Sequence, residues 1–240
     1  ALLRDGGIAA RGGKRLLPTY DVFDETRYFE PTRESLTFEQ DNMKLGVTIC
    51  EDIWIVGDFE GVPQYAADPV SDLMDKGMEV LINISSSPYT LHKRAVRKGI
   101  LEKLATQHRL PLLYCNQVGG NDDLLFDGSS MVVDSTGRLV LAGREFEEDL
   151  LVWDSRQDYP PLNEPSSSDE ESILKGLVLG TRDYLRKCGF EKAVVGLSGG
   201  IDSSLVVVVA TQALGADKVM GVSMPSPFTS AMSREDAREL

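Results

Sequence analysis

The chain has 240 residues, 42% of them hydrophobic and 26% charged, which suits a globular protein with one large domain or two small ones. Its net charge of −13 argues against nucleic acid or an anionic membrane as the main partner, since both need a basic face. The longest purely apolar run, Leu205 to Ala210, is far too short to span a bilayer. Three unpaired-looking cysteines (Cys50, Cys115, Cys188) point to a reducing, cytoplasmic compartment, and no secretory leader is visible.

Ala1 to Gly7 reads like the middle of a β-hairpin, followed by a Gly- and Arg-rich stretch to Pro18. Lys44–Cys50 reads as a buried strand and Tyr65–Gly77 as a helix. Val80–Ser85 is a second buried strand. From Leu91 to His108, apolar residues at 95, 96, 100, 101, 104 and 105 predict an amphipathic helix with its basic residues outside. Leu112–Asn116 is a third strand, and Ser130–Asp134 and Arg138–Ala142 form a hairpin around Asp-Ser-Thr-Gly. Asp149–Trp153 reads as a further strand. Strands alternating with helices imply an α/β layered fold.

The Pro- and Ser-rich stretch 158–168 reads as a linker between a first domain, 1–157, and a second, 169–240. Ser168 and Glu171 suggest a capping box, opening a helix that ends at Gly189. A strand at Ala193, a helix to Leu214 and a strand over 218–224 make a βαβ unit, as in doubly wound parallel sheets. Between its first strand and its helix lies Ser198-Gly199-Gly200-Ile201-Asp202-Ser203-Ser204. Two glycines allow a tight turn, and the hydroxyls stand beside the free N–H groups of a helix start, an arrangement that favours a phosphate. The Gly-Lys-[Ser/Thr] ending of a Walker A loop is missing.

Cys50 stands at a strand end and is followed by Glu51-Asp52-Ile53-Trp54. A nucleophile at such a corner is exposed above the sheet, near backbone N–H groups able to stabilise an oxyanion. A lone cysteine there is also a small core residue. A thiol with its usual pKa of about 8.5 needs a nearby base or cation to act as a nucleophile. His92 and His108 lack metal-ligand spacing and are expected on a solvated helix face, and Cys115 and Cys188 are read as structural.

The string Ser198–Ser204 resembles the pyrophosphate loop of the ATP pyrophosphatases. Gly46–Trp54, Lys14–Phe29, Leu81–Tyr89 and Asn116–Ser130 resemble the nitrilase superfamily, and more narrowly the glutaminase domain of the glutamine-dependent NAD⁺ synthetases; Met224–Ser230 matches their synthetase domain. The resemblance implies a nitrilase-like α-β-β-α layered domain followed by an ATP pyrophosphatase-type domain, each present in part. It implies ATP and Mg²⁺ as cofactors, glutamine, deamido-NAD⁺ and ATP as ligands, and a homo-oligomer.

The resemblance also implies roles for particular residues. Cys50 is the nucleophile and Lys14 the oxyanion-stabilising cation. Glu25 is a supporting acid, or simply a helix-start carboxylate. Tyr20, Glu51 and Trp54 contact glutamine, although Trp54 equally suits a core. Ser85 and Ser87 bind the amino acid or merely end a strand. Ser198, Gly199, Gly200, Ser203 and Ser204 hold pyrophosphate, with Asp202 placing Mg²⁺. The loop 226–230 contacts ATP or is a plain loop. The family's general-base Glu precedes its Lys, and residues 1–13 contain no Glu. The expectation is therefore a piece of a longer protein, inactive by itself in both reactions. The alternatives are an amidase joined to an unrelated nucleotide-binding module, and a non-catalytic fragment.

Overall fold

The computed structural model describes residues 1–55, 65–162 and 167–240. The chain divides into two compact units, Ala1–Val118 with Phe126–Pro165, and Gly119–Leu125 with Ser166–Leu240. Part of the linker stretch, 163–166, lies outside the described residues.

The first unit opens with the expected hairpin, β1 (Leu2–Arg4) and β2 (Gly7–Ala10). Strands β3 (Leu36–Gln40) and β4 (Met43–Ile49) pair antiparallel. Helix α1 (Pro69–Asp75) starts four residues later than the sequence suggests, because Asp68 caps it through the N–H groups of Val70 and Ser71 and Pro69 fixes its first turn. Strand β5 (Val80–Ser85), helix α2 (Lys93–His108) and strand β6 (Leu112–Asn116) follow as expected. The chain then passes through β7 (Val118–Asn121) and β8 (Leu124–Asp127), whose residues Gly119–Leu125 belong to the second unit, and returns to the first with β9 (Met131–Val133) and β10 (Leu139–Ala142).

Six strands form one mixed sheet in the order β10-β9-β6-β5-β4-β3, parallel across β4, β5 and β6. Side chains alternate across it. Leu81, Leu112, Met131 and Val133 face the core, where α1 and α2 contribute Val70, Leu73, Ile100, Leu101 and Leu104. Ile82, Ile84, Leu113 and Cys115 point to the other face and are less covered. The same alternation puts Thr48, Asn83, Ser85 and Asn116 on the core side, near the C-terminal ends of the parallel strands.

Several expectations fail locally. Asp149–Trp153 joins no strand among the described residues; Asp149 accepts the N–H groups of Arg144 and Leu150 instead, and Leu150 is 86% exposed. On α2 the basic residues are not all outside: Ala95 is exposed and Arg97 buried, because 97 shares the face of 100, 101 and 104. His108 is half-buried and its Nε2 is buried without a hydrogen-bond partner among the described residues, so it is not on a solvated face. Cys115 and Cys188, read as structural, are both exposed.

In the second unit, α3 (Asp169–Lys187) is capped by Ser168, which accepts the N–H of Glu171, while the Glu171 carboxylate pairs with Lys175 at 2.6 Å. Gly189, at φ +78°, closes the helix end as expected. Asp183 of α3 accepts the N–H of Gly120 at 2.9 Å, and Lys187 reaches Asn121. Strand β11 (Ala193–Leu197), helix α4 (Ile201–Leu214) and strand β12 (Val219–Ser223) form the βαβ unit, with the two strands parallel. Helix α5 (Ala231–Glu239) follows, capped by Ser230.

Candidate active site

Cys50 follows the last residue of β4 and opens a short 3-10 turn through Ile53. Its φ of +46° is unusual for a non-glycine residue and is held by bonds on both sides of the turn. Asp52 accepts the Ile49 N–H at 2.9 Å with one carboxylate oxygen. With the other it accepts the N–H groups of Arg15 and Leu16 at 2.9 and 2.8 Å. One buried carboxylate thus ties the segment holding Lys14 to the turn holding Cys50. Asn83 donates to Thr48 Oγ1 at 3.0 Å and to the Cys50 carbonyl at 3.4 Å.

The thiol is buried rather than open above the sheet. Burial pushes the Cys50 thiol up from its ordinary range. The Lys14 cation works against this rise and Glu51 adds to it, while the neighbouring Ser85 hydroxyl donates to Asn83 Oδ1 at 2.7 Å. Lys14 is itself clamped, with Nζ 2.7 and 2.8 Å from the two oxygens of Glu25.

Beside the thiol, the Glu51 carboxylate accepts the hydroxyls of Tyr20 at 2.8 Å and Tyr65 at 2.7 Å. Burial raises the Glu51 carboxyl, and the two tyrosine bonds and Lys14 pull it back down. Both tyrosines are pushed upward by burial and by the same carboxylate. Lys93 Nζ lies 5.5 Å from the centre of the Trp54 ring. Burial, and next the Arg97 cation, lower its pKa, against the pull of Asp21, Cys50 and Glu51. A cation and a carboxylate therefore flank one buried thiol, a pairing that suits an amino acid's own carboxylate and ammonium.

In the second unit, Gly199 turns the chain at φ +80° between β11 and α4. The Ser198 and Ser203 hydroxyls lie 3.1 Å apart, and Ser203 and Ser204 both donate to the Gly200 carbonyl at 3.0 Å. Gly200 precedes α4 without a side-chain cap, so that helix start is open. Asp202 lies exposed in its first turn. Among the described residues no group of three or more His, Cys, Asp or Glu side chains could hold a metal ion.

Residues 2–159 match the family described as carbon-nitrogen hydrolase. The chain belongs to the carbon-nitrogen hydrolase family. Residues 173–240 match the description NAD synthase. Over its whole length the chain is 45% identical to a glutamine-dependent NAD(+) synthetase of Synechocystis and 40% identical to one of Thermotoga maritima. It covers 44% and 46% of those proteins, so it spans less than half the length of these relatives. A solved structure of the Acinetobacter baumannii glutamine-dependent NAD+ synthetase, in complex with ADP, aligns over 99% of this chain and 44% of its own. Its TM-score is 0.88 at 40% identity. The fold class read from the sequence, a nitrilase-like layered domain followed by the beginning of an NAD synthase-type domain, agrees with these matches.

Within this carbon-nitrogen hydrolase unit, the structure gathers Lys14, Tyr20, Glu25, Cys50, Glu51 and Ser85 around one thiol. Trp54 belongs to the hydrophobic core, one of the two readings left open by the sequence. Ser87 is buried, and its peptide is taken up by Asn116 and Arg97. Sequence reasoning missed Asp52, Tyr65, Asn83 and Lys93. Asn83 was the most visible of these, a carboxamide inside an apolar strand. Lys93 and Tyr65 look like surface residues until the fold brings them in. In the loop 226–230, the Ser226 N–H donates to Thr229 Oγ1 and Ser226 Oγ accepts from the Phe228 N–H.

Proposed function

We propose that this chain serves glutamine-dependent NAD⁺ synthesis, a carbon–nitrogen ligation in which glutamine is the amide donor. The observation that carries the reading is one buried thiol flanked by Lys14 and Glu51, in the same chain as an open, hydroxyl-rich helix start at 198–204. We read 1–157 as the glutaminase part, 158–168 as a linker and 169–240 as the synthetase part.

Glu51 receives the ammonium of glutamine and Lys93 faces its carboxylate, with Tyr20 and Ser85 completing the pocket. The sulfur of Cys50 attacks the side-chain carboxamide carbon. Lys14 stabilises the developing oxyanion, while Glu25 fixes the position of that ammonium group. The carboxamide nitrogen leaves as ammonia, carrying the thiol proton, and a γ-glutamyl thioester remains. Water then hydrolyses the thioester to glutamate and restores the thiol.

In the second part, Ser198, Gly199, Gly200, Ser203 and Ser204 hold the pyrophosphate portion of ATP through hydroxyls and helix-start N–H groups. The carboxylate of deamido-NAD⁺ takes the AMP moiety, releasing pyrophosphate, and ammonia displaces AMP to give the amide. Mg²⁺ suits a site with one exposed carboxylate, Asp202, and phosphate oxygens, and when bound it neutralises phosphate charge. The working protein is read as a cytoplasmic homo-oligomer; no helix among the described residues is long and apolar enough to cross a membrane.

The test is NAD⁺ formation by the natural protein carrying this sequence, from deamido-NAD⁺ and ATP-Mg²⁺. Glutamine and ammonium are compared in the unmodified protein and in Cys50→Ala. The variant is expected to lose the glutamine-driven reaction and keep the ammonium-driven one. Absence of NAD⁺ from either nitrogen source in the unmodified protein overturns the reading.

A further inference from the structure

Asn83 stands inside β5 among Val80, Leu81, Ile82 and Ile84, and it is fully buried. A carboxamide in such a place is costly unless its polar atoms are bonded. Here both are. Nδ2 donates to Thr48 Oγ1 at 3.0 Å and to the Cys50 carbonyl at 3.4 Å, while Oδ1 accepts the Ser85 hydroxyl at 2.7 Å. The Cys50 carbonyl can only accept, so the carboxamide nitrogen is the atom that faces it.

Strand register explains the reach. Asn83 lies directly beside Thr48 across the parallel pair of β4 and β5, and Thr48 is two residues before Cys50. Past Ile49 the strand ends and the chain turns at Cys50 with φ +46°. A non-glycine residue keeps that left-handed conformation only where its surroundings impose it. Before the corner, Asp52 Oδ2 accepts the Ile49 N–H at 2.9 Å. After it, the carbonyl of Cys50 itself is taken by Asn83. The two bonds bracket the backbone angles of one residue, and the second comes from the neighbouring strand rather than from the turn.

We propose that Asn83 is a positioning residue: from the core side of the sheet it holds the Cys50 carbonyl and so fixes the backbone angles from which the sulfur is aimed. The inference rests on the reading of Cys50 as the nucleophile. Attack on a carboxamide carbon needs a defined approach of the sulfur, and a misplacement of about 1 Å can cost on the order of a hundredfold in rate. Glu51 and Lys93, read as holding the two ends of glutamine, are bonded elsewhere, Glu51 to Tyr20 and Tyr65 and Lys93 over the Trp54 ring. Loss of Asn83 should therefore fall on kcat and spare KM.

The test uses the natural protein carrying this sequence and isolates one bond. Thr48→Val with Ser85→Ala removes the two other partners of Asn83 and leaves its bond to the Cys50 carbonyl. Adding Asn83→Leu to that double variant removes the remaining bond. Between the double and the triple variant, kcat for glutamine hydrolysis is expected to fall about tenfold while KM changes less than about threefold. Equal kcat values, or a loss carried by KM alone, overturn the proposal. If the triple variant does not fold, Asn83→Thr in the same double background, with a side chain one bond shorter, decides by the same criterion. If the double variant is too slow to measure, crystal structures of the two variants decide, and a Cys50 corner left unchanged in the variant lacking Asn83 overturns the proposal. Glutamine hydrolysis that survives Cys50→Ala instead counts against the nucleophile reading itself.

Discussion

Lys14 Nζ lies within 2.8 Å of both oxygens of Glu25, eleven residues further along the chain. The ammonium that favours the Cys50 thiolate is therefore itself paired with a carboxylate. Changing the two partners should move the thiol in opposite directions. In Glu25→Gln the cation is freed and Cys50 alkylation at neutral pH should speed up several-fold. In Lys14→Met it should slow several-fold, because the cation that opposes the rise of the thiol pKa is lost. Two shifts of the same sign would mean that Glu25 acts through packing and not through charge.

Asp52 carries a separate load. Its carboxylate accepts three backbone N–H groups, from Arg15, Leu16 and Ile49. Asp52→Ala leaves all three unsatisfied in a buried place and should cost about 2–4 kcal/mol, since each buried orphan costs on the order of 1–3 kcal/mol and some relaxation is expected. Urea unfolding with an unchanged m-value and a lowered midpoint checks this. A loss under about 1 kcal/mol would mean that the segment around Lys14 is held by other contacts.

How far the sequence reached depended on whether a residue's role was local. The strands β4, β5 and β6 were legible because each is a compact apolar run, and the glycine turn before α4 because it follows such a run directly. Cys50 was legible because a polar run breaks off the strand there. Arg97 was misread because a lone cation on a helix is ordinarily solvated; only the partner Asp127, thirty residues away, makes its burial tolerable. Asp149–Trp153 has the apolar content of a strand, but a strand needs a neighbour, and none pairs with it among the described residues. Tyr65 meets Glu51 only through tertiary folding, so no spacing in the sequence announced it.

The hairpin between β9 and β10 offers a pH test. Asp134 accepts the N–H and hydroxyl of Thr136 and the N–H and Nε of Arg138. Partial burial opposes its ionisation, but these bonds outweigh it and hold the carboxyl down at about 2. Its folded-state pKa lies below the usual value of about 3.9, so its stabilisation is present above that value and is lost as pH falls toward 2. Asp134→Asn should therefore lower Tm at neutral pH, and the gap should narrow as pH drops to about 3. A gap constant across that range would show that the charge contributes nothing.

Neighbouring glycines in the 198–204 loop should respond very differently to alanine. A Cβ on Gly199 would fall 2.1 Å from the Ser233 carbonyl, and its φ of +80° is strained for any L side chain. The nearest atom to a Cβ on Gly200 is Ser198 Oγ at 3.3 Å, and the Gly200 φ of −98° is ordinary. In Gly199→Ala the loop must move away from the start of α5, which disturbs the turn that presents Ser198 and Ser203. Strain at a positive φ costs about 1–3 kcal/mol, and the backbone clash adds to it. Gly200→Ala should cost under about 1 kcal/mol, since only a hydroxyl at the end of a side chain has to yield. Thermal melts compare the stabilities. Equilibrium binding of ATP-Mg²⁺ compares the loops and should weaken at least tenfold in Gly199→Ala but only slightly in Gly200→Ala. Equal losses of both kinds in the two variants would mean that the close approach between Gly199 and Ser233 does not set the loop's shape.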